Sequence, residues 1–216
     1  MNYTIKPKDT LEKIAKKYGL SLELLLSFNK GIKDPDRIFV GQVLHIPNVE
    51  DVPVLPQPEA PTAGSTLVAR AKTAIGKGIR YQLSQGGLDP TKPLPTSNKK
   101  CDCSGFVCWV LGLSRQTTIP FYARYGGWIY TDSMVEDIKS TTGIFERLDT
   151  PEVGCIVVYG AGAKIGHVGL VSEVKQGKMT KVIHCSKGND TQFQDAIQET
   201  SPRVFERADT VWGRFV

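Results

Sequence analysis

No run of apolar residues in the chain approaches eighteen, so no segment reads as a membrane-spanning helix. The opening MNYTIKPKDT lacks the apolar stretch of a Sec signal, so the expectation is a chain made and kept soluble in a cytoplasm. Action elsewhere would then need non-Sec export, delivery, or lysis. Cysteine is scarce. Five in 216 residues are too few for a disulfide scaffold, and the odd number leaves a thiol free unless it pairs between chains. No C-x-x-C occurs, which removes the usual spacing of structural zinc and of dithiol redox centres. Histidine is rarer still: His45, His167 and His184 are the whole supply. Neither sign of charge dominates. Net charge is +5 with a pI near 8.9, short of the basic stripes that nucleic acid requires, so no nucleic-acid partner is expected. A mild positive charge favours an anionic surface such as a bacterial envelope.

The sequence has a clear break. NVEDVPVLPQPEAPTAG, residues 48–64, holds Pro53, Pro56, Pro58 and Pro61 and no apolar period. Proline fixes φ and donates no hydrogen bond, so this reads as a semi-rigid extended linker. It separates a small module, residues 1–47, from a larger domain, residues 65–216.

The module reads as strand, helix, helix, strand. YTIKP is a short strand. DTLEKIAKKYG is a helix capped by Asp9 or Thr10, with Leu11, Ile14, Ala15 and Tyr18 as its apolar stripe and Gly19 as its stop. SLELLLSFNKG repeats the scheme from Ser21 to Gly31, burying Leu22, Leu25, Leu26 and Phe28. VGQVLHIP is the closing strand, with His45 as an ordinary strand residue. The segment resembles a LysM module over residues 3–47. The match is carried by Tyr3, Ile5, the D-T-L-x-x-I-A start at Asp9, Leu25, Asn29, Ile38 and the V-G-Q-x-L-x-I-P end at Pro47. The resemblance implies a partner containing N-acetylglucosamine, such as peptidoglycan glycan strands or chitin.

The larger domain begins with a helix over STLVARAKTAIGKGIRY, broken at Gly76 and Gly78. A proline-rich loop follows, and then CDCSGFVCWV, which reads as a helix from Asp102 with Cys103, Phe106, Val107, Val110 and Leu111 on one face. CIVVY, HVGLVSEV and KVIHCS are β-branched strands, with Lys175-Gln176-Gly177 as the turn between the last two, and TVWGRFV is a final strand. Helix followed by antiparallel strands gives an α+β class.

The three cysteines of CDCSGFVCWV admit three readings. Zinc is disfavoured because Cys101 and Cys103 are one residue apart and Cys108 falls on another side of the helix. A redox pair is disfavoured by the same spacing. A single nucleophile fits: with Asp102 as cap, Cys103 sits in the first turn, where free N–H groups and the dipole favour a thiolate and can hold an oxyanion. Gly105 leaves room for a substrate backbone. The plain alternative is that Cys103 is a small core residue. Against it stand His167 and His184, on strands joined by one hairpin and close to opposite, so that His167 can take the thiol proton and His184 can hold its far nitrogen.

DCSGFV followed by GHVGLV and VIH resembles the NlpC/P60 family of papain-like cysteine peptidases over roughly residues 66–216. The resemblance implies a papain-like α+β domain whose N-terminal helix bears the Cys and packs on an antiparallel sheet. It implies Cys103 as nucleophile, His167 as base and His184 as orienting residue, with Tyr81, ahead of Gly86-Gly87, on the oxyanion, and no metal or other cofactor. Cys155 stands where the family usually has Asp. The aromatic stretch 115–140 reads as a wall of the substrate groove or as plain packing. The implied activity is peptidoglycan hydrolysis, by a cysteine endopeptidase cutting the stem peptide at the γ-D-glutamyl–diamino acid bond. A secreted antibacterial toxin, which would need an immunity partner, and a phage lysis enzyme both fit. The alternatives are a CHAP-like N-acetylmuramoyl-L-alanine amidase, whose third residue is typically Asn, Asp or Glu; an acyl transferase using the same triad; and a non-catalytic glycan-binding protein.

Overall fold

The computed structural model describes residues 1–216 except 8, 19–21, 33, 36, 48–61, 161, 163 and 164. The expected stop at Gly19, the cap at Ser21 and Pro53, Pro56, Pro58 and Pro61 of the linker lie outside the described residues. The chain divides into two compact units, Met1–Glu59 and Ala60–Val216.

The first unit has the expected order: β1 (Asn2–Thr4), α1 (Leu11–Lys17), α2 (Leu22–Ser27) and β2 (Val43–His45). Of the two candidate caps of α1, Thr10 is used; its hydroxyl accepts from Lys13 N–H at 3.2 Å. Asp9 instead accepts from the Tyr3 hydroxyl at 2.8 Å and from Lys6 N–H. β1 and β2 pair antiparallel, Tyr3 opposite Leu44, over a core of Ile5, Leu11, Ile14, Ala15, Leu25, Leu44 and Ile46. Asn29 ties α2 to β2, donating to Leu25 O and His45 O and accepting from His45 N–H at 2.8 Å. That explains an Asn at this position, and His45 is a strand residue as expected.

The second unit opens with α3 (Ala63–Thr73), which starts inside the stretch expected to be linker because the Thr62 hydroxyl caps Ser65 N–H. There follow β3 (Arg80–Tyr81), β4 (Lys100–Cys101), α4 (Cys103–Val110), a 3-10 turn at Pro120–Tyr125 and α5 (Thr131–Lys139). Then come β5 (Phe145–Leu148), β6 (Ile156–Tyr159), β7 (His167–Lys175), β8 (Lys178–Cys185), α6 (Lys187–Phe193), β9 (Ile197–Thr200), a second 3-10 turn at Pro202–Phe205 and β10 (Val211–Phe215). Six strands form one sheet in the order β5-β10-β6-β7-β8-β9, every pair antiparallel. The expected helix-on-sheet arrangement is present, with α4 as the second helix of the unit.

One sheet face packs on the helices. All eight residues of α4 are buried, so this helix has no solvent face, contrary to the one-sided stripe read from its sequence. The other face is covered by Phe205 over Cys155, Val157, Val171 and Val182. The short parallel pair of β3 and β4 sets Tyr81 beside Cys101, and Arg80 is held by the buried Asp190 of α6.

Candidate active site

The site is built on the start of α4. Asp102, 2 % exposed, is both cap and hub. One oxygen accepts from Gly105 N–H at 2.8 Å, the other from Ser84 N–H at 2.7 Å, and Arg115 Nη2 lies 2.8 Å from the carboxylate. Arg115 also donates to Gln85 O and Ser104 Oγ. Arg115 and Ser84 thereby lock the 84–87 loop onto the helix start. Gly105 serves that lock. A Cβ there would come within 2.5 Å of Gln85 O, so its bareness admits the loop backbone rather than the substrate.

Cys103 is the first residue of α4 and is 4 % exposed. Backbone N–H groups of Val168 and Ser104 reach its sulfur. Val168 is the second residue of β7, so the thiol sits beside the strand start that carries His167.

His167 and His184 are brought together. The hairpin turns at Gln176-Gly177, both with positive φ. Leu170 pairs with Ile183, so continuing the register sets Gly169 opposite His184. The two histidines are therefore diagonal neighbours, two residues out of register, and not close to opposite as expected from the sequence. Equal parity keeps both on one face, and the bare Gly169 lets the rings lean toward each other. His167 Nε2 lies 2.8 Å from His184 Nδ1, and His184 Nε2 lies 2.9 Å from Thr200 Oγ1. Phe205 stacks on His167 at 5.1 Å and 11° and meets His184 edge-on.

Burial governs the protonation states. It pushes the Cys103 thiol up to about 12, with the Asp102 charge adding to the rise and the Val168 and Ser104 N–H groups opposing it. The depressed thiol expected of a helix start is not found, because desolvation outweighs the dipole. Burial, and then the neighbouring His184, lowers His167 to about 3; burial lowers His184 to about 4. At neutral pH these shifts keep Cys103 a thiol and both imidazoles uncharged. Tyr81 is raised above its ordinary value by burial and then by the nearby Cys103, so its hydroxyl stays a donor.

The aromatic stretch 115–140 divides. Phe121 and Tyr122 are core, and the Tyr122 hydroxyl donates to the buried Asp137 at 2.6 Å. Tyr125, Trp128 and Tyr130 line an open cavity of about 450 Å³ with Ser84 and Arg115, both partners of Asp102. Thr200, Phe205 and Arg115 escaped the sequence reading. Thr200 could be placed by same-face parity only once the strand order is known, and Phe205 and Arg115 lie on no strand of the sheet.

Comparison with known proteins locates both units. The LysM domain model matches residues 3–47 and the CHAP domain model matches residues 95–189. Probable peptidoglycan endopeptidase LytE of Bacillus subtilis (strain 168) is 31% identical over 162 residues, covering 70% of this chain and 43% of the relative. Endolysin of Bacillus phage PZA is 46% identical over 44 residues, 20% of this chain and 17% of the relative. Among solved structures, the NlpC/p60 domain of peptidoglycan hydrolase SagA aligns over 69% of this chain and 98% of its own, at 18% identity and a TM-score of 0.39, too low to bear on the fold. The chain spans less than half the length of the curated relatives it matches. By sequence, residues 3–47 match a LysM domain and residues 95–189 match a CHAP domain.

Proposed function

We propose that the protein is a peptidoglycan hydrolase, a cysteine endopeptidase that cuts the stem peptide while the LysM domain holds the glycan strand. The observation that carries the reading is the His167–His184 contact of 2.8 Å on the strand whose start abuts the Cys103 thiol. With Nε2 engaged by His184, Nδ1 of His167 is the nitrogen for the thiol proton. Sγ of Cys103 attacks the amide carbonyl as that proton leaves. The first-turn N–H groups of α4 and the Tyr81 hydroxyl receive the oxyanion. Imidazolium then protonates the departing amine, the C–N bond breaks, and water hydrolyses the thioester. The LysM domain raises local enzyme concentration on the wall. The whole cycle uses side chains and backbone of this chain and calls for no metal. Wall or periplasm is the place of action, and antibacterial or lytic use, with an immunity partner in the first case, follows from the same chemistry.

A second reading, N-acetylmuramoyl-L-alanine amidase, is favoured by the CHAP match over residues 95–189. A histidine at the third position, His184, favours the endopeptidase. One digest separates them. Purified peptidoglycan and soluble stem peptides are incubated with wild type and Cys103→Ala under reducing conditions, and fragments are weighed by mass spectrometry. A fragment cut at γ-D-glutamate and absent with the variant is expected. Release of the intact stem from muramic acid would replace this reading with the amidase, and cleavage surviving in Cys103→Ala would sink both.

A further inference from the structure

We propose that Thr200 is a positioning residue that sets the tautomers of both histidines and so leaves His167 Nδ1 bare to act as base; this rests on the hydrolase reading above. Three polar contacts run in series: His167 Nε2 to His184 Nδ1 at 2.8 Å, His184 Nε2 to Thr200 Oγ1 at 2.9 Å, and Thr200 Oγ1 to Ser201 O at 3.0 Å. A carbonyl oxygen only accepts, so the Thr200 hydroxyl hydrogen points to Ser201. Thr200 Oγ1 must then accept from His184, which puts the His184 proton on Nε2. His184 Nδ1 in turn accepts, which puts the His167 proton on Nε2. The reverse chain, with Thr200 donating to His184, abandons the Ser201 carbonyl and ends with a proton on His167 Nδ1, where the base must be empty.

The sheet supplies the geometry. Val182 pairs with Thr200, so Thr200 is displaced two residues from the partner of His184, as His167 is on the other side. His167, His184 and Thr200 thus lie on one diagonal across β7, β8 and β9, all on the Phe205 face. The stack of Phe205 on His167 fixes its ring plane, so the proton position is what remains for Thr200 to settle. Both imidazoles are uncharged near neutrality, the condition under which a tautomer chain exists.

The test reads protons directly. Long-range ¹H–¹⁵N correlation spectra of the full chain at pH 7 give the tautomer of each histidine, with His45 in the other unit as internal reference. Wild type is expected to show the Nε2–H form for His167 and His184. Thr200→Val, which keeps the shape and loses the acceptor, is expected to populate Nδ1–H at both and to lower kcat/KM on stem peptide by at least about tenfold through kcat, as wrong-tautomer triads do. Thr200→Ser is expected to restore both readouts. An Nδ1–H form of His184 in wild type overturns the proposal whatever the variants do. Unchanged tautomers in a folded Thr200→Val, or a Thr200→Ser no better than Val, also overturn it. The spectra need no substrate, so failure of the muropeptide digest would remove the hydrolase reading while leaving the tautomer result readable.

Discussion

Gly169→Ala tests the register that brings the histidines together. Gly169 lies opposite His184, and a Cβ there would stand 2.5 Å from Val182 Cγ1, 3.1 Å from His184 Cβ and 3.1 Å from Phe205 Cζ. The first distance is one real Cβ atoms do not tolerate, and Val182 is stiff, fully buried and held in the middle of the sheet. Overpacking of this kind costs about 1–3 kcal/mol, and the entropy gained by replacing glycine in a strand returns about 0.4–1 kcal/mol. The net loss is then roughly 0–2.6 kcal/mol, about 1.3 kcal/mol at the midpoints. Gly188→Ala is the control: in α6 its Cβ would meet only Ser186 Oγ at 3.8 Å, so the same reasoning gives a gain of up to about 1 kcal/mol. Urea unfolding followed by tryptophan fluorescence reports the second unit alone, since Trp109, Trp128 and Trp212 all belong to it. The crowded His184 and Phe205 should also cost activity, a loss the control lacks. If Gly169→Ala unfolds at the same urea concentration as wild type and retains full activity, the diagonal packing of His184 over Gly169 is wrong.

Acid should weaken the fold through the same histidines. Their folded values, about 3 and about 4, lie below the unfolded value of 6.5, so the unfolded state binds more protons between those limits and stability falls as pH drops from 6.5 toward 4. For His184 the loss is on the order of 3 kcal/mol by pH 4, and the urea midpoint of His184→Gln should fall less over pH 6.5–4.5; equal slopes would refute the burial argument. Asp102→Ala removes the acceptor of Gly105 and Ser84 and strands the Arg115 guanidinium, which is 7 % exposed. Breaking such a buried pair costs about 3–5 kcal/mol, read as a lower urea midpoint; a loss under 1 kcal/mol would show the hub to be dispensable.

What was legible followed short-range rules. Thr10 and Asp102 announced helix starts because a cap is a local hydrogen bond, three residues long. Gln176-Gly177 announced a hairpin because positive φ selects such residues. From that turn, the same face of the sheet for His167 and His184 was a matter of parity. What stayed hidden depended on strand order. Thr200 joins the site because β9 lies beside β8, and Phe205 because a 3-10 turn folds back over the sheet. Neither fact has a signature in the residues themselves. Gly105 shows a subtler limit. The need for a residue without Cβ was readable, while the neighbour that requires it, the loop at Gln85–Gly87, lies eighteen or more residues earlier and is brought there by Asp102 and Arg115.

The thiol illustrates how magnitudes decide between two correct principles. A helix start favours an anion by about 0.3–1 kcal/mol, reaching about 2 in favourable sites. Burial, with the Asp102 charge adding and the Val168 and Ser104 N–H groups and Arg115 opposing, raises Cys103 from the ordinary 9.0 to about 12, a net effect of about 4 kcal/mol against the thiolate. The second effect is the larger, so burial favours the neutral thiol at Cys103. In the proposed mechanism, proton transfer then accompanies attack, and the rate depends on whether His167 Nδ1 is empty when substrate arrives. A preformed ion pair would have made the resting position of the imidazole proton immaterial. A neutral site makes it decisive, and in the proposed mechanism that gives a hydroxyl two strands away, at Thr200, a part in the chemistry at Cys103.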